Sequence, residues 1–312
     1  MFLTHVDDFL VAGTELFMRK VIKPLCEKFQ VGKQQEGTFR YIGLDIANTE
    51  EGLFIQQHKY IDEMTPLVIT TKRKQEKESF LNGEETRKFR GVVGQLNWIS
   101  SQTRPDVTFD MLNLSTVTKH PQVQHVIEAN KAIQKVKRRR SGILYHRLGE
   151  FEDFKLEVFA DAAWANLPDG TSSAGGHIIF LTSGTGPQRL SVPLDWSANK
   201  IQRSVHSTLA AEALAMLESE LFTNNYKSNK VPVFLNTDNK SLHENLHSSK
   251  QVREKRLRVT MAELQEMLSQ GDVQKVTWLP SKALLADLLT KKGVCSDAVL
   301  DCFNSGSLGD LI

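Results

Sequence analysis

Residues 159–170 read FADAAWANLPDG and carry Asp161 within a small, apolar stretch. The residues around Asp161 predict a strand, and Pro168, Asp169 and Gly170 predict a turn after it. A carboxylate at the edge of a buried strand is unfavourable unless a partner or a ligand uses it. The stretch therefore predicts a strand end that carries a functional aspartate.

Three later segments each add one carboxylate: Glu212 in STLAAEALAML, Asp238 in VFLNTDNKSL and Asp287 in ALLADLLTK. Four acids from four separate elements predict a cluster that holds divalent metal, because carboxylate oxygens are hard ligands. Each acid also has a plainer interpretation. Asp161 could form the turn, and Asp238 could cap a helix without binding metal. Glu212 and Asp287 could face solvent.

The chain has 312 residues, which is comfortable for two domains. Its formal net charge of +2 does not by itself require a polyanionic partner. Lys and Arg are instead concentrated in residues 131–140 and 250–258. Such runs are either solvated surface or contacts to nucleic acid.

The cysteines, Cys26, Cys295 and Cys302, form no CxxC pair, which argues against a zinc ribbon and a disulfide scaffold. No apolar run approaches the roughly 20 residues of a membrane helix, and the N-terminus does not read as a signal peptide. We expect a cytoplasmic or nuclear protein that is neither secreted nor membrane-spanning. We also expect that its first residues begin inside a larger fold.

The first half predicts a hairpin with Asp7 and Asp8 at its turn, and then a helix kinked or split at Pro24. Strands around a turn at residues 51–52 follow, and the polar residues 65–86 predict a mobile linker. The second half reads as three antiparallel strands and then alternating helices and strands. That order predicts a mixed sheet with helices on its faces.

Specific motifs carry a family resemblance. VDDFLVAG, FRYIGLDI and LFIQQHKYIDEM resemble the C-terminal part of a reverse transcriptase, with Asp7 and Asp8 at the palm-hairpin position. RKFRGVVGQLNWISSQTRPDVTFDMLNLS resembles the thumb-side signature of copia-type LTR retrotransposon Pol polyproteins. The element order of the second half is similar to the ribonuclease H fold.

The resemblance implies an α/β (α+β) chain: a truncated palm and thumb, then a ribonuclease H-like mixed five-stranded sheet with helices on both faces. The implied divisions are 1–118 (truncated reverse transcriptase), 119–150 (connecting helix and basic linker), 151–294 (ribonuclease H-like domain) and 295–312 (a fraying tail). It implies an endonuclease that cleaves the RNA strand of RNA–DNA hybrids. Two Mg²⁺ ions, for which Mn²⁺ can substitute, would be held by Asp161, Glu212, Asp238 and Asp287.

The sequence departs from the ribonuclease pattern in the loop before the last helix. Many enzymes of this fold carry a histidine there, whereas TWLPSKALLAD has Ser281 and Lys282 nearby. The expected nucleic-acid contacts are hydroxyls that read 2′-OH groups and cations that bind phosphates. They are Ser172, Ser173, Lys200, Arg203, Arg253, Lys255 and Arg258. The two serines could equally be a plain polar turn.

The pair Asp7 and Asp8 resembles a relic of a polymerase metal site, because the third aspartate and the fingers would lie upstream of residue 1. We expect no polymerase activity from this chain alone. Two alternatives to the ribonuclease remain: a catalytically inactive nucleic-acid-binding retroelement remnant, and a product without a cellular role.

Overall fold

A computed structural model describes residues 2–29, 31–184, 189–224, 226, 231–248, 252 and 254–309. Within these residues the strands are β1 (Phe2–His5), β2 (Asp8–Val11), β3 (Thr38–Tyr41), β4 (Leu44–Asn48), β5 (Gly52–Gln56), β6 (Gly142–His146), β7 (Lys155–Ala163), β8 (Ala174–Ser183), β9 (Leu190–Lys200), β10 (Val233–Thr237) and β11 (Lys275–Trp278). The α-helices are α1 (Glu15–Phe17), α2 (Lys23–Phe29), α3 (His58–Glu63), α4 (Thr71–Gln75), α5 (Gly83–Gln102), α6 (Thr108–Thr116), α7 (Val123–Arg138), α8 (Thr208–Thr223), α9 (Lys240–Leu246), α10 (Lys255–Gln270) and α11 (Asp297–Ser305).

The first two strands form the predicted hairpin. β1 and β2 pair antiparallel with His5 opposite Asp8. Val6, in the turn, has a φ of 53°, a left-handed conformation that β-branched residues rarely adopt. Asp7 and Asp8 are both exposed at the tip.

The helical residues after the hairpin run without a break, and their hydrogen-bond pattern changes just before Pro24. α1 leads into a π turn at Met18–Ile22, which leads into α2. Proline has no N–H to donate and its ring crowds the preceding turn. The wider π turn in front of Pro24 accommodates both effects.

An antiparallel sheet, which we call the N-terminal sheet, has the strand order β3-β4-β5-β6. β6 pairs with β5 along its whole length. At Gly52 the backbone approaches β6 so closely that a Cβ would collide with the Tyr145 carbonyl oxygen. Part of the segment predicted as a basic linker is therefore a paired strand.

The helices α5, α6 and α7 pack together around a core that includes Phe89, Leu96 and Ile133. Residues 65–86, predicted as a mobile linker, are fixed against this bundle. Arg73 donates to Glu76 at 3.0 Å and to Glu85 at 3.1 Å. The segment is folded in the structure, where one guanidinium ties α4 to the start of α5.

Arg104 of the TRPD motif is fully buried between α5 and α6. Its guanidinium donates two hydrogen bonds of 2.8 Å to the Asp106 carboxylate. It also donates to the carbonyl oxygens of Val136 and Arg139, at 2.7 and 3.0 Å. Those carbonyls lie at the C-terminal end of α7, where helices leave acceptors without intrahelical partners. The motif therefore fixes the end of α7 as well as the turn it occupies.

In the described part of the second half, the main sheet has five strands in the order β11-β10-β7-β8-β9. β7, β8 and β9 are antiparallel neighbours, and β10 lies parallel to both β7 and β11. This is the mixed sheet of the predicted ribonuclease H-like fold, with β7 at its centre.

Helices cover both faces of the main sheet. Leu156, Val158 and Ala160 of β7 pack towards α8, α9 and α10. Phe159, between them in sequence, packs on the opposite face with α6 and α11. Alternate residues of a strand point to opposite faces, so one apolar run serves two cores. The predicted α/β class, with helices on both faces, is confirmed.

The C-terminal region differs from the prediction in two ways. The segment after β11 forms 3-10 turns at Ser281–Ala283 and Leu285–Leu289 instead of one helix. Four of the five residues in the turn Leu285–Leu289 are buried against the sheet. The expected fraying tail contains α11, whose Val299 and Phe303 are fully packed in the core.

Candidate metal centre

Asp161 lies in the central strand of the main sheet, opposite Gly176 of β8, and its side chain is completely buried. The alternative that it only forms a turn does not hold. The turn begins later, where Asp169 accepts hydrogen bonds from the backbone of Thr171 and Ser172. The strand thus places a carboxylate in the interior of the sheet.

Glu212 and Asp238 approach Asp161 from neighbouring elements. Glu212 is buried in the first half of α8, among alanines that let the helix pack closely on β7. Asp238 directly follows β10 and is half-buried. The cap of α9 is Asn239, whose side chain accepts from Leu242, so Asp238 is not needed as that cap.

These three residues form what we call the carboxylate cluster. One carboxylate oxygen from each of Asp161, Glu212 and Asp238 lies within 4.8 Å of the others. Burial, reinforced by repulsion from Asp161 and Asp238, raises the pKa of Glu212. Burial also raises the pKa of Asp161, against the opposing effect of Lys291. A site that resists holding its negative charges is one that a cation would stabilise.

Asp287 lies beside the cluster, on the 3-10 turn after β11, and Lys291 connects the two. The Lys291 ammonium is 2.6 Å from Asp287 Oδ1 and 3.3 Å from Asp161 Oδ1. The Thr290 hydroxyl donates to Asp161 Oδ2. Burial raises the pKa of Asp287, although its bond to Lys291 opposes that effect. Burial alone would lower the pKa of Lys291, but the carboxylates outweigh it and raise that pKa.

The residues present fit divalent metal. The donor atoms are carboxylate oxygens, which Mg²⁺ and Mn²⁺ prefer. Between Asp161 and Asp287 the structure places the Lys291 ammonium, a positive charge. The four predicted acids are thus brought together, Asp287 through Lys291 and the other three directly.

Thr290 and Lys291 are the site residues that the sequence interpretation missed. Lys291 follows Asp287 by four residues, and this spacing on its own predicts only a local ion pair. Its second partner, Asp161, is 130 residues away. The available signal was two polar residues directly after a buried apolar turn, in LLTKK.

A cleft opens beside the cluster, between the helices of the first half and the turn after β7. Phe109, Gln124, Asn166 and Lys291 are among the residues that line it. Asn166 donates to the Thr290 carbonyl at 2.7 Å and accepts from Ala174 at 3.1 Å. This amide fixes the turn of FADAAWANLPDG against the segment that carries Lys291.

The predicted nucleic-acid contacts divide into accessible and inaccessible residues. Ser173 is buried and accepts from the Ala165 amide, so it is not a surface contact and that prediction is wrong. The Ser172 hydroxyl donates to Asp169, which also binds Lys200 at 3.2 Å. The exposed cations of the predicted set are Lys200, Arg203, Lys255 and Arg258. Arg253 lies outside the described residues.

The hairpin pair, Asp7 and Asp8, is remote from this arrangement in the fold. Both side chains are exposed on a two-stranded hairpin separate from the main sheet. Within the described residues, the group of three or more potential metal ligands that meet closely is the carboxylate cluster. Among those same residues, no helix is both long and apolar enough to span a membrane.

The strand order of the main sheet and the helices on both of its faces give a ribonuclease H-like fold. No family model matches the sequence. It is 24% identical over 254 residues to an uncharacterized mitochondrial protein of Arabidopsis thaliana, covering 76% of this chain and 99% of that protein. It is 23% identical over 212 residues to a putative transposon Ty5-1 protein of Saccharomyces cerevisiae, covering 64% of this chain and 65% of that protein. The predicted resemblance to a retrotransposon protein is confirmed.

Solved ribonucleases H are also similar in structure to part of this chain. The enzyme of Halobacterium salinarum aligns with a TM-score of 0.34 and 18% identity, over 44% of this chain and 94% of that one. The N-terminal domain of a Mycobacterium tuberculosis protein aligns with a TM-score of 0.35 and 18% identity, over 46% and 94%. LC11-RNase H1, solved in complex with an RNA/DNA hybrid, aligns with a TM-score of 0.34 and 15% identity, over 44% and 94%. The fold assignment rests on the strand order and helix placement described above.

Proposed function

We propose that the protein is a divalent-metal-dependent endonuclease of the ribonuclease H type, which cleaves the RNA strand of RNA–DNA hybrids. The observation that carries the proposal is the meeting of Asp161, Glu212 and Asp238, whose oxygens lie within 4.8 Å at the centre of a ribonuclease H-like sheet. Burying several carboxylates together is costly, and bound metal is the common reason that proteins do so.

Two Mg²⁺ ions would be held by the carboxylate cluster and Asp287, with Mn²⁺ as a substitute. When bound, such ions activate water and stabilise the leaving oxygen of a phosphodiester. The protein supplies rigid ligands: Asp161 is fixed by β7 and by the Thr290 hydroxyl. Glu212 is held by its buried place in the first half of α8.

The substrate would lie along the cleft beside the cluster. We propose that Lys200, Arg203, Lys255 and Arg258 bind phosphates, and that Ser172 contacts the sugar edge. Phosphate contacts give affinity with little sequence preference. The partner that these exposed cations suit is therefore a hybrid duplex or another nucleic acid, recognised by its shape and charge.

The first half has a different proposed role. We propose that residues 1–118 are a palm- and thumb-like region and that residues 151–294 are the nuclease domain, joined through 119–150. Asp7 and Asp8 have no third carboxylate near them among the described residues. A primer-extension assay is expected to give no product, and full-length extension would contradict this assignment.

The nuclease proposal is tested with a labelled RNA–DNA hybrid, with Mg²⁺ or EDTA present. We expect Mg²⁺-dependent cleavage of the RNA strand, abolished by Asp161→Asn because the variant removes a central ligand charge. Asp153→Asn, an exposed aspartate in a surface turn, is the matched control and should cleave normally. Equal background activity in the protein and in Asp161→Asn would refute the enzyme. Hybrid binding without cleavage would instead support the inactive nucleic-acid-binding remnant.

A further inference from the structure

Lys291 has an unusual place in the metal centre. Its ammonium lies 2.6 Å from Asp287 and 3.3 Å from Asp161, so it bridges a residue of the carboxylate cluster and the acid beside it. Asp161 is fully buried, and its other oxygen is taken by Thr290. Both oxygens of the central carboxylate are therefore already bonded within the protein.

The charges of the site are unevenly balanced. Lys291 offsets one of four carboxylates, and it does so on the Asp287 side. Glu212 and Asp238 lie on the other side, within 4.8 Å of Asp161. The part of the site between Asp161 and Asp287 is thus already neutralised by Lys291. The part between Glu212 and Asp238 has no such cation among the residues that the structure describes.

The Lys291 side chain has an open path out of this position. It is 37% exposed, and it borders the open cleft next to Asn166. Its neighbour Lys292 already points outward and pairs with Glu128 of α7 at 2.6 Å. Rotation of the Lys291 stem into the cleft would exchange two carboxylate contacts for solvent and leave the backbone where it is.

We propose that Lys291 is a tethered counterion that stands in for the second metal ion between Asp161 and Asp287 and must be displaced when that ion binds. This role rests on the proposed metal site, and it makes binding of the second ion depend on the position of Lys291. The first ion binds at the carboxylate cluster, and the second competes with the ammonium. Metal occupancy would then be stepwise, and substrate phosphates could draw the released lysine into the cleft.

The test is calorimetric titration with Mn²⁺ of the full chain, in the absence of nucleic acid. The unaltered protein should bind one ion clearly more tightly than a second. In Lys291→Met the second ion should bind about tenfold more tightly or better, because a unit charge at this range shifts ionic equilibria by one or more log units. Asp287→Asn should lose the second ion, with or without Lys291→Met.

Lys292→Met is the matched control, since it removes an adjacent lysine that pairs outside the cluster, and its affinities should be unchanged. Lys291→Gln covers the case in which the methionine variant does not fold, because the amide keeps a hydrogen bond to Asp287. Unchanged or weaker second-ion binding in the folded Lys291 variants overturns the inference. Hybrid cleavage is scored separately, so loss of the nuclease proposal leaves the calorimetric result standing, and the reverse also holds.

Discussion

Replacement of Arg104 by methionine should be among the most destabilising single changes in the first half. The side chain is completely buried, and it makes two bonds to Asp106 and two to the end of α7. Methionine fills much of the same volume but leaves Asp106 as a buried, uncompensated charge. It also leaves the carbonyls of Val136 and Arg139 without this donor.

The size of the effect follows from these contacts. Removal of one partner of a buried ion pair typically costs about 3–5 kcal/mol, because the remaining charge stays desolvated. Two lost bonds to helix-end carbonyls add to this, so we expect a loss of about 4 kcal/mol or more in the free energy of unfolding. Such a loss is a large share of the roughly 5–15 kcal/mol that holds a typical domain folded.

The measurement is urea denaturation followed by far-ultraviolet circular dichroism, comparing Arg104→Met, Asp106→Leu and the double variant. The double variant should recover part of the loss, because it removes both charges together. Lys88→Met breaks an exposed ion pair with Glu84 and should leave the midpoint unchanged. A cost below about 1 kcal/mol for Arg104→Met would refute the view that this pair holds the end of α7.

Other expectations concern the metal centre and the C-terminal helix. In EDTA, the raised pKa of Glu212 means that the folded state binds its proton more tightly than the unfolded state does. The contribution of Glu212 to the free energy of unfolding is therefore complete below about pH 4.3 and is lost as the pH rises. Urea titrations of the protein and of Glu212→Gln at several pH values should show this loss, and added Mg²⁺ should reverse it. In Gly176→Ala the new Cβ would lie 2.7 Å from the Leu289 Cβ, so the free energy of unfolding should fall by about 1–3 kcal/mol. In Gly91→Ala the new Cβ would enter open space on α5, so the free energy of unfolding should rise by up to about 1 kcal/mol. The urea midpoints of the two variants should therefore move in opposite directions. Burial raises the pKa of Cys302 to about 12, whereas Cys295 is exposed. A thiol reagent at pH 8 should therefore label Cys295 quickly and Cys302 only after unfolding, as measured by mass spectrometry. Equal labelling rates would show that α11 is not docked.

Much of the second half could be predicted from sequence because its signals are local and redundant. FADAAW places a charge inside an apolar strand, and the flanking segments alternate between strand and helix patterns. Four acids at element ends or on a small-residue helix face then have one obvious meeting point. The same locality explains the hairpin at Val6 and Asp7.

The features that were missed depend on distant partners. β6 lies in a short run between basic residues, and nothing in that run identifies β5 as its pairing partner. The segment LLADLLTK has a helical composition, but burial against the sheet holds it in tight turns. Lys291 acquires its role only because Asp161, far away in sequence, lies next to Asp287 in space. The periodicity of apolar residues indicates which face of a helix or strand is buried, but it does not identify the distant residues that this face contacts.

The docking of α11 has a consequence for the order in which the protein assembles during synthesis. Phe303 packs against Phe180 and Trp196 of the main sheet, and Asn304 accepts a hydrogen bond from the backbone of Gly142 in β6. These partners leave the ribosome long before the helix that covers them. Until residues 297–308 are made and α11 docks, Phe180 and Trp196 lack this partner, and during that interval a chaperone or another aromatic surface could bind them.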